Sequence, residues 1–449
     1  MRQRSFAGPI ILIGLGLIFL VSNLRPELSL WRLLGDYWPF LLILFGVIRL
    51  AEVLFLAGRG KLQNGAIRPM GFGPIILVVL IGMLLTLPGH WGPRWHWGPI
   101  RAGSVEIFGQ EFSYPVSLNL DSVGTKRLVL DNLRGNITVT GGDEKTVHIE
   151  GNKIIHAFDQ GAADTANGQT KITLTQEGDV IFVRSTERAA PDQSRLSTDL
   201  EITLPRNMDV EARGRSGDLS VNSINGSVDV SSQKGEIRLS DVGGNAKLDV
   251  EHCDLVRATK VKGTMDVQGN GRDIQLDDVG GQVTLSGRFS GTLDFRNLSQ
   301  PLHFESEQTD LRVEKLPGSI NMDLSDLRAS NLSGQFKLVT HSRDVHLEDF
   351  AGPVDIELGS GDVDLRPARG QLARMDIRSR HGNIDAALPA DGAFDLKATT
   401  QQGEVTNDYG DGISSENQGR AASLRSANPK GPVISFTTDR GEISVRKLE

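Results

Sequence analysis

The sequence predicts an all-β parallel β-solenoid (a β-helix) with coils of about 18 residues, preceded by an α-helical transmembrane bundle of three helices. Long apolar stretches are confined to about the first 90 residues, and a short alternating motif returns about every 18 residues from Gly226 onward. Aromatic residues make up only 6% of the chain. Thin stacked coils are filled by small and β-branched side chains, so a low aromatic content is expected.

Charge is divided unevenly along the chain. The first 103 residues hold 10 Lys and Arg against 3 Asp and Glu, whereas the remaining residues hold 38 against 53. Phosphate binding requires a basic surface, so the acidic remainder is not expected to bind nucleic acid. Cys253 is the single cysteine, which excludes a disulfide within the chain.

Three apolar stretches predict a transmembrane domain over residues 1–89. The spans are residues 5–24, 37–57 and 69–88, and about 20 apolar residues in a helix cross a hydrocarbon core of about 30 Å. Arg49 and Glu52 interrupt the second stretch, so whether it spans completely stays open. Core helices of a soluble protein are an alternative, as is a cleaved signal peptide for the first stretch.

The distribution of Lys and Arg favours a cytoplasmic N-terminus. Three spans then place the chain after about residue 90 outside the cytoplasm, which predicts a multi-pass protein of the bacterial cytoplasmic (inner) membrane with an extracytoplasmic, periplasmic region. The segment HWGPRWHWGP follows the third span, where an interfacial aromatic belt is expected. His90 and His96 in this segment allow a metal site, but two histidines without a nearby carboxylate or thiol make a weak one.

The membrane region also carries a resemblance. The run GPIILIGLGLIFLVSNL, a short loop containing Trp31, and then YWPFLLILFGVIRL resembles the transmembrane region of the LiaI/LiaF-like bacterial envelope proteins over about residues 4–50. The resemblance implies that the membrane helices relay a signal to a partner such as a sensor kinase.

A unit of two short strands repeats from Gly226 onward. Each unit opens with an alternating segment such as GSVDV, GTMDV or GPVDI, and a second one such as GEIRL, RDVHL or GDVDL follows about ten residues later. Alternation of apolar and polar residues predicts a strand. Neither strand buries its apolar side alone, so the units must stack, strand over strand at about 4.8 Å.

The repeat assigns the inward side chains of this stack. They are Val228, Val230, Met265, Val267, Val283, Leu285, Phe336, Leu338, Val354 and Ile356 in first strands; Ile237, Leu239, Ile274, Leu276, Leu311, Val313, Val345, Leu347, Val363 and Leu365 in second strands; and Val242, Val261, Val279, Leu298, Leu316, Leu332 and Phe350 at the ends of units. The outward positions of the first strands are mixed in character, which is typical of a solvated face.

The regular repeats are predicted over residues 206–449. Residues 126–205 form an irregular N-terminal part of the β-domain, with long loops at GAADTANGQT and ERAAPDQSRLSTD, and residues 90–125 are a juxtamembrane linker. The LRGNITV strand set, the EITLP strand and the repeated Gly-Asp-hydrophobic units resemble the adhesin-type family of bacterial surface and periplasmic β-solenoids over about residues 127–449. This resemblance implies an envelope protein and brings no catalytic residues.

An acidic residue precedes the second strand of most units. The members are Asp218, Glu236, Asp254, Asp273, Asp310, Asp326, Asp344 and Asp362, with Glu404 and Glu442 near the end. In coils that stack in register, these carboxylates form a ladder along one edge. Two interpretations stay open: each side chain caps its own turn by accepting from a backbone N–H two residues on, or the ladder binds divalent cations.

Motifs with a catalytic mechanism are missing from the sequence, which has no phosphate loop, no G-x-S-x-G and no H-E-x-x-H. Glu251, His252, Cys253 and Asp254 are neighbours, but adjacent strand residues point to opposite faces and do not converge. The expectation is therefore that the chain is not an enzyme and needs no cofactor, apart from the possible divalent cation.

The predicted function is that of a non-catalytic envelope protein. It displays the solenoid for binding, adhesion or envelope-stress sensing and regulation, with an envelope protein or a sensor kinase as partner. The alternative is a glycan-active enzyme, a lyase or hydrolase on a β-helix, which requires converging carboxylates in a deep groove.

Overall fold

The computed structural model describes residues 110–122, 124–186, 196–370, 372–390 and 392–448. The three predicted spans, the His90 and His96 pair, and residues 90–109 of the predicted linker lie outside these ranges. Strands and one short helix make up the secondary structure of the described residues, which confirms the all-β prediction for this part of the chain. Within the same ranges, no helix has the length and apolar character needed to cross a membrane.

Each regular coil has two strand segments and one apolar end residue, as β10 (Val228–Val242) shows. Its apolar side chains alternate inward as far as Leu239. Asp241 then adopts a left-handed φ of 55°, which breaks the alternation and returns Val242 to the interior. The same left-handed conformation precedes the end residue in other coils, at Ser223, Lys260, Asp278, Asn297, Asn331 and Asp349.

Every side chain that the repeat assigns to the interior is buried, with at most 3% of its surface exposed. These side chains belong to one continuous hydrophobic cluster that runs through the stacked coils. The prediction of the core is therefore confirmed, including the end residues. Burial of apolar surface from water is the main stabilising contribution in such a stack.

The central coils stack in parallel and in register. Residues 228–232 of β10 define the first face, and residues 237–242 define the second face. Val228 pairs with Ala246 on the first face, and Ile237 pairs with Val256 on the second. The strands of this part are β8 (Asp209–Ser216), β9 (Leu219–Ile224), β10, β11 (Ala246–Val261), β12 (Met265–Val279), β13 (Val283–Phe289) and β14 (Leu293–Leu298).

One coil runs in the opposite direction. The strands at this point are β15 (Leu302–Glu305), β16 (Thr309–Met322) and β17 (Asp326–Ser342). Strand β16 is antiparallel to β15 on the first face, to β14 on the second face, and to β17 along both. Hairpin turns at residues 306–308 and 323–325 reverse the chain on either side of it. We call this coil the reversed coil.

The reversed coil corrects the predicted strand order. The segment TDLRV was predicted as a second strand, and it lies on the first face; GSINM was predicted as an opening strand, and it lies on the second face. The physical reason is that alternating apolar and polar residues bury the same side chains in either chain direction. The inward residues Leu311 and Val313 were therefore assigned correctly while their direction was not.

Beyond the reversed coil the parallel stack resumes. Asp326 of β17 pairs with Asp344 on the second face, and Phe336 pairs with Val354 on the first. The strands are β18 (Asp344–Ala351), β19 (Val354–Ser360), β20 (Val363–Pro367), β21 (Met375–His381) and β22 (Ile384–Pro389). Strands β18 and β19 both stack on β17, and β20, β21 and β22 each stack in parallel on the strand two places before them.

The C-terminal coil is inserted into the stack and does not end it. The strands here are β23 (Asp395–Gln402), β24 (Val405–Asp408), β25 (Ile413–Gln418), β26 (Ala421–Ser426), β27 (Val433–Arg440) and β28 (Ile443–Leu448). Strand β27 pairs with β21 on one side and β23 on the other, and β28 lies between β22 and β24. The antiparallel strands β26 and β25 then follow β23.

The N-terminal part closes the other end of the stack with antiparallel strands. Strands β2 (Arg127–Arg134) and β3 (Ile137–Gly142) stack in parallel on β8 and β9. The remaining strands are β1 (Gln110–Asp121), β4 (Thr146–Ala157), β5 (Ile172–Glu177), β6 (Val180–Ser185) and β7 (Leu196–Pro205). Strand β4 is antiparallel to both β1 and β7. Strand β1 thus lies within residues 90–125, which the sequence assigns to a linker.

The helix α1 (Gln160–Gln169) lies where the sequence predicted a long loop, in GAADTANGQT. The side chain of Asp159 caps its N-terminus by accepting from the backbone N–H of Ala162 at 2.8 Å. At the other end, the buried ammonium group of Lys153 in β4 donates to the carbonyl of Asn167 at 3.0 Å. The loop prediction was wrong because these contacts come from tertiary structure that local propensity does not include.

Substitution of a glycine at the corner between the two faces tests how closely the coils stack. Gly235 has a φ of 114°, and a Cβ at this position would collide with the carbonyl oxygen of Gly217 in the preceding coil. Gly235→Ala is expected to lower the free energy of unfolding by about 2–4 kcal/mol, because backbone strain and a clash between coils add together. Urea denaturation measures the difference.

Gly370 provides a matched control. It has the same φ of 114°, but no atom lies within 4 Å of its added Cβ. Gly370→Ala therefore carries the backbone strain alone, about 1 kcal/mol. Equal losses of stability in the two variants would contradict close packing of coils at the corner.

Candidate functional site

Most of the predicted acidic ladder lies along one edge of the solenoid, where the second face begins. Glu236 stacks on Asp218, and Asp362 stacks on Asp344, which in turn pairs with Asp326. Asp273 occupies the same position in β12. The sequence therefore predicted correctly that most of these acidic residues occupy the same position in successive coils.

Two predicted members lie outside this edge. An irregularity in the pairing of β10 with β11 matches Glu236 to Leu255, so Leu255 takes the ladder position and Asp254 is displaced. Asp310 lies in the reversed coil, on the first face, where it pairs with Glu305. Both errors arise because the count of residues from the start of a unit reveals neither a bulge nor a reversal.

Most ladder aspartates bond to the next coil and not to their own turn. Asp218 Oδ1 accepts from the backbone N–H of Glu236 at 3.0 Å, and Asp344 Oδ1 accepts from that of Asp362 at 2.9 Å. Asp273 does the same for Thr292 at 2.8 Å. The expectation of a cap within the turn is wrong for these residues, because the backbone N–H nearest to each carboxylate belongs to the coil stacked on it.

Two asparagines occupy the same ladder. Asn136 Oδ1 accepts from the backbone N–H of Asp218 at 3.1 Å, and Asn383 Oδ1 accepts from that of Glu442 at 2.8 Å. Sequence reasoning missed them because it searched for acidic residues only. The signal was present, since Gly-Asn stands in RGN and HGN where other coils have Gly-Asp. Because a neutral amide can replace a carboxylate in the ladder, the position requires a side-chain oxygen that accepts a backbone hydrogen bond and does not require a negative charge.

The outward carboxylates of the faces form local ion pairs with arginine. Arg296 pairs with Asp294 at 2.7 Å, and Arg366 pairs with Asp364 at 3.0 Å. The spacing is the same D-x-R in each case, which places both side chains on one side of a strand. Within the described ranges, no group of three or more His, Cys, Asp or Glu side chains is arranged to hold a metal ion.

Cys253 lies in the core at the corner of β11, with 2% of its surface exposed. Burial raises the pKa of its thiol to about 11, so the thiolate is scarce at neutral pH. Its neighbours Glu251, His252 and Asp254 are exposed. The four side chains do not converge, which agrees with the expectation from strand alternation.

A cleft of about 840 Å³ opens beside the reversed coil. Its walls come from the β13–β14 corner, from the hairpin turn at residues 306–308 and from the turn at residues 323–325. This volume falls in the range of small-molecule sites, about 300–1,000 Å³. The cleft exists because strand reversal interrupts the stack of corners at this edge.

Three carboxylates line the cleft, and the surroundings of two of them, Glu307 and Asp323, do not suit acid–base catalysis. Glu307 pairs with Arg288 at 2.7 Å. Backbone N–H groups of Ser325 and Asp326 bond to Asp323 and hold the pKa of its carboxyl below the ordinary value. A carboxyl with a lowered pKa stays ionised at neutral pH and is a poor proton donor for glycan cleavage.

Asp362 tests the hydrogen-bonding ladder. Its Oδ1 accepts from the backbone N–H of Asn383 at 2.7 Å. Asp362→Ala is expected to lower the free energy of unfolding by about 1 kcal/mol, because that N–H loses its partner. Asp362→Asn keeps an acceptor oxygen, as Asn383 itself does, and is expected to cost much less. Urea denaturation of both variants measures this, and equal losses would show that the charge matters instead.

The divalent-cation hypothesis is checked in the native chain and in Asp362→Asn. Thermal melts with and without about 10 mM Ca²⁺ are expected to give the same midpoint, because the ladder carboxylates already have partners. Asp218, Asp273, Asp344 and Asp362 each have one oxygen bonded to the next coil, and Glu236 and Asp326 pair with arginine. A midpoint that Ca²⁺ raises in the native chain, but not in Asp362→Asn, would establish a cation site instead.

The chain is similar to several solved structures and matches a protein-family model. A solved structure similar to the chain is that of a provisionally named cell adhesion protein from Clostridium sporogenes, with 10% identity, 75% of this chain and 100% of that chain covered, and a TM-score of 0.19. Another is that of a provisionally named adhesin from Bacteroides fragilis, with 9% identity, 75% of this chain and 97% of that chain covered, and a TM-score of 0.21. Such TM-scores support no conclusion about this chain. No curated protein matches the sequence significantly. The family model described as Toastrack DUF4097 matches residues 125–446, and the chain therefore belongs to the Toastrack DUF4097 family.

Proposed function

We propose that the chain is a non-catalytic bacterial envelope protein that displays its solenoid for binding, in adhesion or in envelope-stress sensing. Helices at residues 5–24, 37–57 and 69–88 would anchor it in the cytoplasmic membrane, with the solenoid on the extracytoplasmic side. The apolar length of these three stretches and the distribution of Lys and Arg support this arrangement.

The observation that carries the binding role is how the polar groups of the coils are used. Edge carboxylates such as Asp218 and Asp344 accept from the backbone of the next coil, and face carboxylates such as Asp294 and Asp364 pair with arginine. These groups hold the scaffold in register. The remaining exposed side chains of the coils form a long, regular surface of mixed charge, which suits recognition of a partner over an extended area.

A glycan-active enzyme requires a proton donor and a second carboxylate that converge on one bond. In the cleft beside the reversed coil, Asp323 is bonded to the backbone and Glu307 to an arginine. These contacts favour binding over catalysis at this place. A sensing role through the LiaI/LiaF-like membrane region, with a sensor kinase as partner, is the more specific form of the proposal.

The membrane topology is tested with reporter fusions. Alkaline phosphatase fused after Glu449 is expected to be active, because its disulfides form outside the cytoplasm, and a fluorescent protein that folds only in the cytoplasm is expected to be dark there. The same reporters fused after Gln63, between the second and third predicted spans, should give the opposite result. Fluorescence from the fusion after Glu449 would refute the proposed location.

The binding role is tested by photo-crosslinking in intact cells. A photoreactive residue replaces Lys247 on the first face or Arg257 on the second, both of which are exposed and point outward. Mass spectrometry is expected to recover an envelope protein from one face preferentially, since a partner occupies a defined surface. The same residue in place of the exposed Gly168, in α1, is the control. Equal recovery from all three positions would contradict a specific binding face.

A further inference from the structure

The cleft beside the reversed coil contains an arginine at the corner position where neighbouring coils have glycine. Gly361 and Gly382 follow Arg343 at this corner in the next two coils, each with a positive φ. A Cβ at Gly361 would collide with the carbonyl oxygen of Arg343, so the later corners have no room for a side chain. Arg343 has room because the turn at residues 323–325 ends the reversed coil beside it.

The guanidinium of Arg343 is buried and forms no ion pair with the described residues. Only 8% of the residue is exposed, and Nη1 bonds weakly to Thr309 Oγ1 at 3.3 Å and contacts Met322 Sδ at 2.9 Å. Nε has no hydrogen-bond partner, and no carboxylate oxygen of the described residues lies within 4.0 Å of the group. Burial lowers the pKa of Arg343, and the nearby charge of Asp323 opposes this shift only in part.

An unpaired buried charge is costly, because desolvation of an ion is repaid only by a partner of opposite charge. Arginine does not give up its proton to escape this cost. The position of Arg343 at the wall of an open cleft lets an anion enter from solvent and supply the missing partner. The site is therefore prepared for an anionic group.

The rest of the cleft limits what the anion is attached to. Phe289 and Phe304 lie against each other with ring centroids 6.4 Å apart, and both line the cleft with Leu293. Leu324, at the tip of the adjacent turn, is 64% exposed. The two rings are mostly buried, with 6% of Phe289 and 3% of Phe304 exposed, so Leu324 supplies most of the apolar surface that a ligand would cover.

The charges around the cleft limit the charge of the ligand. Glu305, Glu307 and Asp323 line it together with Arg343, and only Arg288 adds a second cation. These carboxylates repel any anion at close range, and the repulsion doubles when the ligand carries a second negative charge. A single negative charge pairs with Arg343 and leaves the apolar part of the ligand against the phenylalanines.

We propose that this cleft binds the carboxylate of a small monoanionic ligand with an apolar body, the carboxylate on Arg343 and the body against Leu324 and the exposed edges of Phe289 and Phe304. The inference rests on the binding role proposed above and names the ligand class for one site. Two parallel N–H···O bonds from an arginine suit a carboxylate well.

Isothermal titration with 4-phenylbutyrate and its neutral amide tests the proposal, using the full chain in detergent at constant ionic strength. Both compounds carry the same apolar body, so the ratio of their affinities isolates the charge. The acid is expected to bind at least about tenfold more tightly than the amide, which corresponds to about 1.4 kcal/mol. Partition into detergent is the same for every variant of the protein.

Arg343→Met is expected to abolish the preference for the acid while the amide still binds. Arg366→Met is the matched control, because Arg366 is paired with Asp364 on the second face and is not part of this cleft. Arg343→Met is expected to keep or raise the unfolding midpoint, since it removes an uncompensated buried charge. If Arg343→Met fails to fold, Arg343→Lys, which keeps the charge without the paired N–H groups, should weaken acid binding selectively.

Three results would overturn the proposal: equal affinity for acid and amide, an undiminished preference in Arg343→Met, or tighter binding of inorganic phosphate than of 4-phenylbutyrate. Absence of binding by either compound at millimolar concentration would overturn it as well. None of these results alters the reporter fusions or the crosslinking pattern, so failure of this site is distinguishable from failure of the proposed function.

Discussion

The structure depends on one constraint: the backbone of each coil must be hydrogen-bonded by the coil stacked on it. A parallel stack satisfies this only while successive coils keep the same path, so the corners are as restricted as the strands. Gly217 and Gly235 show the restriction, since their corners approach too closely for a side chain. The same corners also need hydrogen-bond acceptors. The side-chain oxygens of Asp218 and Asn383 supply them to backbone N–H groups that would otherwise be unpaired. Fold and surface chemistry therefore follow from the same requirement.

Period and burial could be predicted from the sequence because both are local properties of the repeat. Residues such as Val230, Ile237 and Val242 identify themselves by spacing and by apolar character, and all are buried. Chain direction could not be predicted, because Leu311 and Val313 alternate in the same way whichever way the strand runs. The displaced Asp254 and the helix α1 also depend on contacts with other parts of the chain. The ladder position was predictable, but its hydrogen-bond partners required the stacked structure.

The candidate ligand site arises where the repeat is broken. At the two corners that follow Arg343, Gly361 and Gly382 lie so close to the preceding coil that a Cβ would collide with its backbone. Strand reversal at β16 removes this close approach on one edge, and Arg343 occupies the freed space beside Phe289 and Phe304. No local pattern marks Arg343 in the sequence, because its environment is made by two hairpin turns and by β14, all distant from it along the chain. Departures from a regular scaffold are where specific function is expected.

The insertion of β27 and β28 between earlier coils has a consequence for biosynthesis. Most solenoid coils can add to a growing end as they leave the ribosome, each using its predecessor as a template. Here β21 lacks one of its two neighbours, and β23 lacks its parallel partner, until β27 has been translated, because β27 lies between them. A chain released early would have an open strand edge at β21 and β22, which other strands can pair with. Synthesis of β27 and β28 thus covers a strand edge at which aggregation could otherwise begin.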